Sequence, residues 1–310
     1  MSYQDLEQCC FGRQSILNLM KRRLVGLKEG YRQNIALLGS QHLGKSTILY
    51  DFLVNLDDAQ VTAVYLDLEN KDFGYFFRNF IGSLLYNYSK TRQLPLYDDL
   101  SLLIESTKNV IPNTIQVIQR IKSDFESNKI KDCYLGLLAL PEIFTNETGQ
   151  FCVLIFDEFQ HIEDFVELPN VYLELGRKIM TQKKCLYVVS SSFPILAKKI
   201  LSEKLSLLFG NFETVELDTF DLETSQKLVD RNLKNVKIGA QLRNFLIDFT
   251  GGHPLYLNLI CKELVNLSAV HRQGEIYLPL LSQTVENSIF DRWGVISRHF
   301  ELIISEICAG

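Results

Sequence analysis

The sequence predicts an α/β chain in which a parallel five-stranded sheet covered by helices is followed by an all-α domain. Short apolar runs alternate with helical patterns through the first two-thirds of the chain. Those runs are rich in Val, Ile and Leu with little alternation, as expected for strands buried on both faces. Beyond Asp218 the strand signal fades while helical periodicity continues.

The runs stand at residues 35–39 (IALLG), 61–66 (VTAVYL), 152–156 (CVLIF), 186–189 (LYVV) and 212–217 (FETVEL). The last carries Glu213 and Glu216 and reads as a sheet edge. Between the runs, Ser15 to Val25, Thr47 to Asn55, Phe73 to Tyr88 and Val171 to Met180 repeat apolar residues at three and four spacing, the mark of a helix with one buried face. Lys90 to Gln150 is long but periodic, so it predicts inserted helices, not a linker. In the last third, Leu222 to Leu233, Gln241 to Phe249, Leu255 to Leu267 and Val295 to Ile307 predict helices. Thr250-Gly251-Gly252 suits a helix end and Pro254 the first turn of the next helix. The expected domains are therefore 1–217 and 218–310, in keeping with 310 residues.

Composition narrows the function. With 46% hydrophobic and 22% charged residues the chain is an ordinary globular one. Its net charge of −5 gives no general field for nucleic acid. Seven cysteines, an odd number with no CxxC spacing and with Cys9 and Cys10 adjacent, support neither a disulfide framework nor a zinc site. No apolar run approaches about 18 residues and no signal sequence opens the chain, so a soluble cytoplasmic protein without a membrane role is expected.

One motif is highly specific. Gly39-Ser40-Gln41-His42-Leu43-Gly44-Lys45-Ser46-Thr47 matches GxxxxGK[ST] without departure, preceded by a strand-like run and followed by a helical one. Such a loop converges backbone N–H groups on phosphate oxygens and adds a helix N-terminus. Lys45 would neutralise the β- and γ-phosphates, and Ser46 would place its hydroxyl on Mg²⁺. Downstream, Val153-Leu154-Ile155-Phe156 runs into Asp157-Glu158. An acid ending the neighbouring parallel strand can hold Mg²⁺ through water, and a second can activate the attacking water. Asp157 is thus the metal-side candidate and Glu158 the base, which favours ATP hydrolysis over phosphoryl transfer to a small acceptor. The strand at 186–189 ends in Ser190-Ser191-Ser192 before Phe193-Pro194. Ser190 there could sense the γ-phosphate or the attacking water, and a capping turn explains the same residues.

Taken together, FGR at 11–13, GSQHLGKST at 39–47, VLIFDEFQ at 153–160, VVSSS at 188–192 and GGHP at 251–254 resemble a STAND-type P-loop ATPase. The resemblance is strongest to the archaeal-type, AAA-like ATPases, near the AAA+ class and the origin-recognition ATPases, and spans about residues 9–310. It implies that Phe11, Gly12 and Arg13 lie beside the adenine. It also implies that the helical domain closes as a lid and that Pro254 meets base or phosphates. The implied activity is a Mg-dependent ATPase acting as a molecular switch, with ATP and ADP as ligands and a protein partner or a second copy as its target. An ATP-controlled nucleic-acid initiator or loader and a nucleotide-bound scaffold are the alternatives.

Two departures from the family stand out. Leu208-Phe209-Gly210-Asn211 lacks the Gly-Arg that relatives often carry before the last strand, so turnover is expected to be slow unless Arg177, Arg231 or Arg243 supplies the charge. The chain also stops at Gly310, where relatives commonly continue into a winged helix, so an absent output domain or a fragment is expected. The aromatic run Phe73, Tyr75, Phe76, Phe77, Phe80, Tyr86, Tyr88 fits a buried helix better than a stacking platform. The five histidines lack metal-ligand spacing, and Trp293 reads as a packing anchor.

Overall fold

The computed structural model describes residues 10–164, 170–205, 210–234, 236–270, 274–289 and 296. They divide into two compact units, one ending at Leu217 and the other beginning at Asp218. The expected helix at Val295 to Ile307 lies outside the described residues apart from Ile296, as do Trp293, Leu208 and Phe209.

The first unit runs α1 (Gln14–Lys28), β1 (Asn34–Leu38), α2 (Lys45–Val54), β2 (Val61–Asp67) and α3 (Phe73–Thr91). Three inserted helices follow, α4 (Leu100–Thr107), α5 (Pro112–Glu126) and α6 (Ile130–Thr148). Then come β3 (Phe151–Asp157), a 3₁₀ turn (Phe159–Glu163), α7 (Val171–Thr181), β4 (Cys185–Ser191), α8 (Pro194–Lys199) and β5 (Phe212–Glu216). All five apolar runs are strands of one parallel sheet in the order β2-β3-β4-β1-β5. β5 stands at an edge, as its glutamates predict, and β2 stands at the other. One expectation needs correcting. The acidic strand β3 is not the neighbour of the loop-bearing β1, because β4 lies between them. Strand adjacency is decided by which crossovers bury apolar faces, and no local pattern records it.

The period of two decides which residue faces which core. Ala36 and Leu38 of β1 enter one apolar cluster, Ile35 and Leu37 the other. On the first face α3 lays down Phe73, Phe76, Phe77, Phe80 and Tyr88, all buried, so these members of the aromatic run are core, while Tyr75 is half-buried and Tyr86 exposed. Phe77 stacks on Phe125 of α5 at 4.4 Å between centroids. On the opposite face Leu17, Met20, Leu24 and Leu27 of α1 join Ile48, Leu49 and Phe52 of α2. Each such side chain removed from water contributes about 1.5–3 kcal/mol, and the second cluster anchors the helix that carries the loop.

The second unit holds α9 (Leu222–Asn232), α10 (Ala240–Thr250), α11 (Pro254–Val270) and α12 (Leu278–Ile289). It is helical as expected with one addition, a parallel ladder of β6 (Lys237–Ile238) and β7 (Glu275–Ile276). Two-residue strands carry no periodicity, so the sequence did not announce them. Asp221 caps α9 by accepting the Thr224 N–H at 2.7 Å. Gly252 must be glycine: its φ is +69°, and a Cβ would stand 2.3 Å from the Phe220 carbonyl oxygen.

Candidate nucleotide-binding site

The site lies at the carboxyl ends of β1, β4 and β3, where loops leave a parallel sheet and ligands characteristically bind. Register puts Leu38 opposite Ser191 and Phe156 opposite Val189, so the tip of β4 stands between the loop and the acidic pair.

The loop, residues 39–44, turns from β1 into α2. Gly39 touches the segment after β5, and a Cβ there would lie 2.8 Å from the Leu217 carbonyl oxygen. Gly44 is needed for another reason, a φ of +97° at the cap of α2, with open space where its side chain would project. His42 also adopts positive φ, 59°. Leu43 is buried beneath the loop in the cluster of Ile48 and Leu49. Ser40 and Ser46 are exposed, while Gln41 and Thr47 are half-buried.

Lys45 is buried, 4% exposed, and its ammonium folds back over the loop. Nζ donates to the carbonyl oxygens of Gly39 (2.8 Å) and Ser40 (3.0 Å) and to Ser192 Oγ (2.8 Å). Glu158 Oε1 is 3.9 Å away. Burial lowers the Lys45 pKa, opposed by Glu158, Asp157 and Glu69. Partial burial, with the Lys45 charge, also lowers that of His42. A buried ammonium held mostly by neutral oxygens at a helix N-terminus is electrostatically prepared for an anion.

Asp157 ends β3 at 2% exposure. Its Oδ2 accepts from Tyr65 Oη at 2.9 Å, and its Oδ1 accepts from Ser190 Oγ. Glu158 follows with φ +54°, a left-handed conformation that costs a non-glycine residue on the order of 1–3 kcal/mol. Three donors hold it there: the Ser192 N–H (2.8 Å) and Gln160 Nε2 (2.8 Å) on Oε2, and the Ser192 hydroxyl on Oε1. Glu69, just past β2, has its pKa raised by partial burial and then by Glu158 and Asp67. The nearby carboxylates therefore make a strongly negative neighbourhood opposite Lys45.

The structure thus brings together Gly39, Ser40, Lys45, Asp157 and Glu158. Ser190 is close, but its hydroxyl serves Asp157. Ser192 instead bridges Lys45 and Glu158. Phe11, Gly12 and Arg13 form the turn into α1, where Arg13 N–H donates to the Cys10 carbonyl at 3.3 Å. Pro254 opens α11 in the second unit. Sequence reasoning missed Ser192, Tyr65 and Gln160. The available signal was the two-residue spacing of Ser190 and Ser192 across the end of β4. Tyr65 and Gln160 left no signal.

A nucleotide suits this cradle, and the donor set also fits magnesium arriving with it. Ser46 offers a hydroxyl and Asp157 a carboxylate. Among the described residues, no group of three or more His, Cys, Asp or Glu could hold a metal by itself. The ion would depend on phosphate oxygens for the rest of its shell. Among the described residues, no helix is long and apolar enough to cross a membrane.

No protein-family model matches the sequence, and no curated protein matches it. The fold has clear counterparts among solved structures. A Walker-type ATPase of Pyrococcus abyssi superposes with a TM-score of 0.60 at 15% identity, over 92% of this chain and 75% of that one. The Aeropyrum pernix ORC2 protein, solved in ADPNP–ADP complexes, gives 0.53 at 10% identity, over 94% and 70%. A Thermotoga maritima RuvB variant gives 0.52 at 15%, over 97% and 78%. The fold is an α/β P-loop fold, a parallel five-stranded sheet with helices like that of these solved structures.

Proposed function

We propose that the chain binds ATP with magnesium in the loop 39–47, hydrolyses it slowly, and uses the nucleotide state as a STAND-type switch. The observation that carries this reading is the line of contacts from Lys45 through Ser192 to Glu158. It connects the phosphate-facing cation to the candidate base. Lys45 exchanges its loop carbonyls for β- and γ-phosphate oxygens, and the N-terminus of α2 adds its dipole. Glu158, the residue after the buried Asp157, accepts the proton of the attacking water. Ser46 and Asp157 hold the magnesium, which neutralises phosphate charge when bound. Phe11, Gly12 and Arg13 sit beside the adenine. The fold likeness to a Walker-type ATPase and to nucleotide-complexed ORC2 supports this reading.

The test is ATP binding and phosphate release by wild type, Lys45→Ala and Glu158→Gln. Lys45→Ala is expected to lose binding, and wild-type affinity in that variant would falsify the reading of the loop. Glu158→Gln is expected to bind ATP and release phosphate at least about a hundredfold more slowly, as for a group acting in the transition state. Turnover that rises with protein concentration identifies a site completed by a second copy. Within the described chain, Arg177 is engaged by Glu174 at 2.7 Å and Arg243 by Asp230 at 2.9 Å.

A DNA-directed role is the second reading, favoured by the fold likeness to a Drosophila ORC bound to DNA, TM-score 0.57 at 8% identity. It predicts an ATP-stimulated, salt-sensitive shift of duplex DNA, and a chain that never shifts DNA excludes it.

A further inference from the structure

The metal side of the site extends beyond its motifs. Tyr65 lies on β2, two residues before Asp67, which stands opposite Asp157 in the ladder. Its hydroxyl donates to Asp157 Oδ2 at 2.9 Å, while Ser190 holds Oδ1. Its ring packs on Tyr50, with centroids 4.9 Å apart and planes tilted by 42°. Tyr50 follows Ser46 by one helical turn on α2, so the two share a helix face. A continuous contact therefore runs from the helix bearing the Ser46 hydroxyl, through two tyrosine rings, to the Asp157 carboxylate. One end of that line is the Asp157 carboxylate, and the other stands four residues from Ser46 on α2.

A carboxylate held by a neutral donor on each oxygen retains lone pairs for further donors. Without the Tyr65 hydroxyl one oxygen loses its partner, and the group is free to rotate about its terminal torsion.

We propose that Tyr65 is a positioning residue that orients Asp157 toward the magnesium accompanying the nucleotide. Tyr50 seats Tyr65 against the helix of Ser46, so the pair sets the spacing of the two metal-side groups. The proposal rests on the nucleotide-site reading above. Partners that orient metal-binding groups are worth roughly 10–100-fold in metal affinity.

The experiment titrates the full chain calorimetrically with ATP, first in EDTA and then across a series of magnesium chloride concentrations. Tyr65→Phe keeps the ring and removes one oxygen. Its ATP affinity in EDTA is expected within about twofold of wild type, while the magnesium concentration giving half the affinity gain rises about tenfold. Adding Tyr65→Phe to Asp157→Asn is expected to change nothing more, because the hydroxyl acts through that carboxylate. A merely structural role would lower affinity equally in EDTA and magnesium, or persist in the Asp157→Asn background, and either result overturns the proposal. So does a wild-type magnesium dependence in Tyr65→Phe. Should that variant unfold, Tyr50→Leu carries the test. It is expected to shift the magnesium midpoint about threefold in the same direction, and an unmoved midpoint counts against the proposal. A wild-type chain that binds no ATP, or binds it without regard to magnesium, instead sinks the site reading itself.

Discussion

Ser192 is the residue on which the candidate chemistry converges. Its hydroxyl accepts a hydrogen bond from the Lys45 ammonium and donates one to Glu158, and its N–H donates to the same carboxylate. Ser192→Ala removes two charge-assisted hydrogen bonds, each worth about 1.5–3 kcal/mol, leaving Glu158 on two donors in a strained backbone. Turnover is expected about tenfold lower with ATP affinity within about threefold, read from phosphate release and calorimetry. Equal losses in both would show that Ser192 serves the fold only. Glu69 yields a prediction with a pH sign. Its folded-state pKa lies above the ordinary 4.5, so the folded chain holds its proton more tightly than the unfolded chain. That contribution to stability is fully present below 4.5 and is lost as pH rises through the raised value. Glu69→Gln is therefore expected to gain stability at pH 7 but not at pH 4, by urea unfolding at both. A gain of equal size at both pH values would remove the electrostatic explanation.

Among elements, the loop and its helix show how two glycines serve different ends. Gly39→Ala drives a methyl into the backbone of Leu217, whose N–H donates to Leu38 at 2.7 Å. It should cost about 1–3 kcal/mol through the displaced strand. Gly44→Ala meets open space and costs about 1–2 kcal/mol through its left-handed φ. Urea unfolding of both variants checks this, and a Gly39→Ala of wild-type stability would rule out the close approach. The helices inserted after β2 were legible from apolar spacing, but the capping of α5 was not. Pro112 opens α5, while the free N–H groups of Asn113 and Thr114 find the Glu147 carboxylate of α6 at 2.8 and 2.7 Å. A cap supplied from 34 residues away in the chain leaves no capping signature beside the helix it serves.

For the molecule as a whole, the phosphate loop, the acidic strand end, the five strands and the helical last third were all readable without coordinates. Each is written in consecutive residues: a turn needs its glycines in place, a buried strand needs uninterrupted apolar side chains, and a helix needs its period. Tertiary structure decided what those signals could not contain. It put β4 between β1 and β3, and so made Ser192 the bridge between Lys45 and Glu158. It laid Tyr65 of an edge strand against Asp157, 92 residues further along the chain. It also added the short β6–β7 ladder to the helical unit. Motif chemistry is local because phosphate recognition uses adjacent backbone groups. Strand order and side-chain partnership are long-range because they depend on how crossovers bury both faces of the sheet at once.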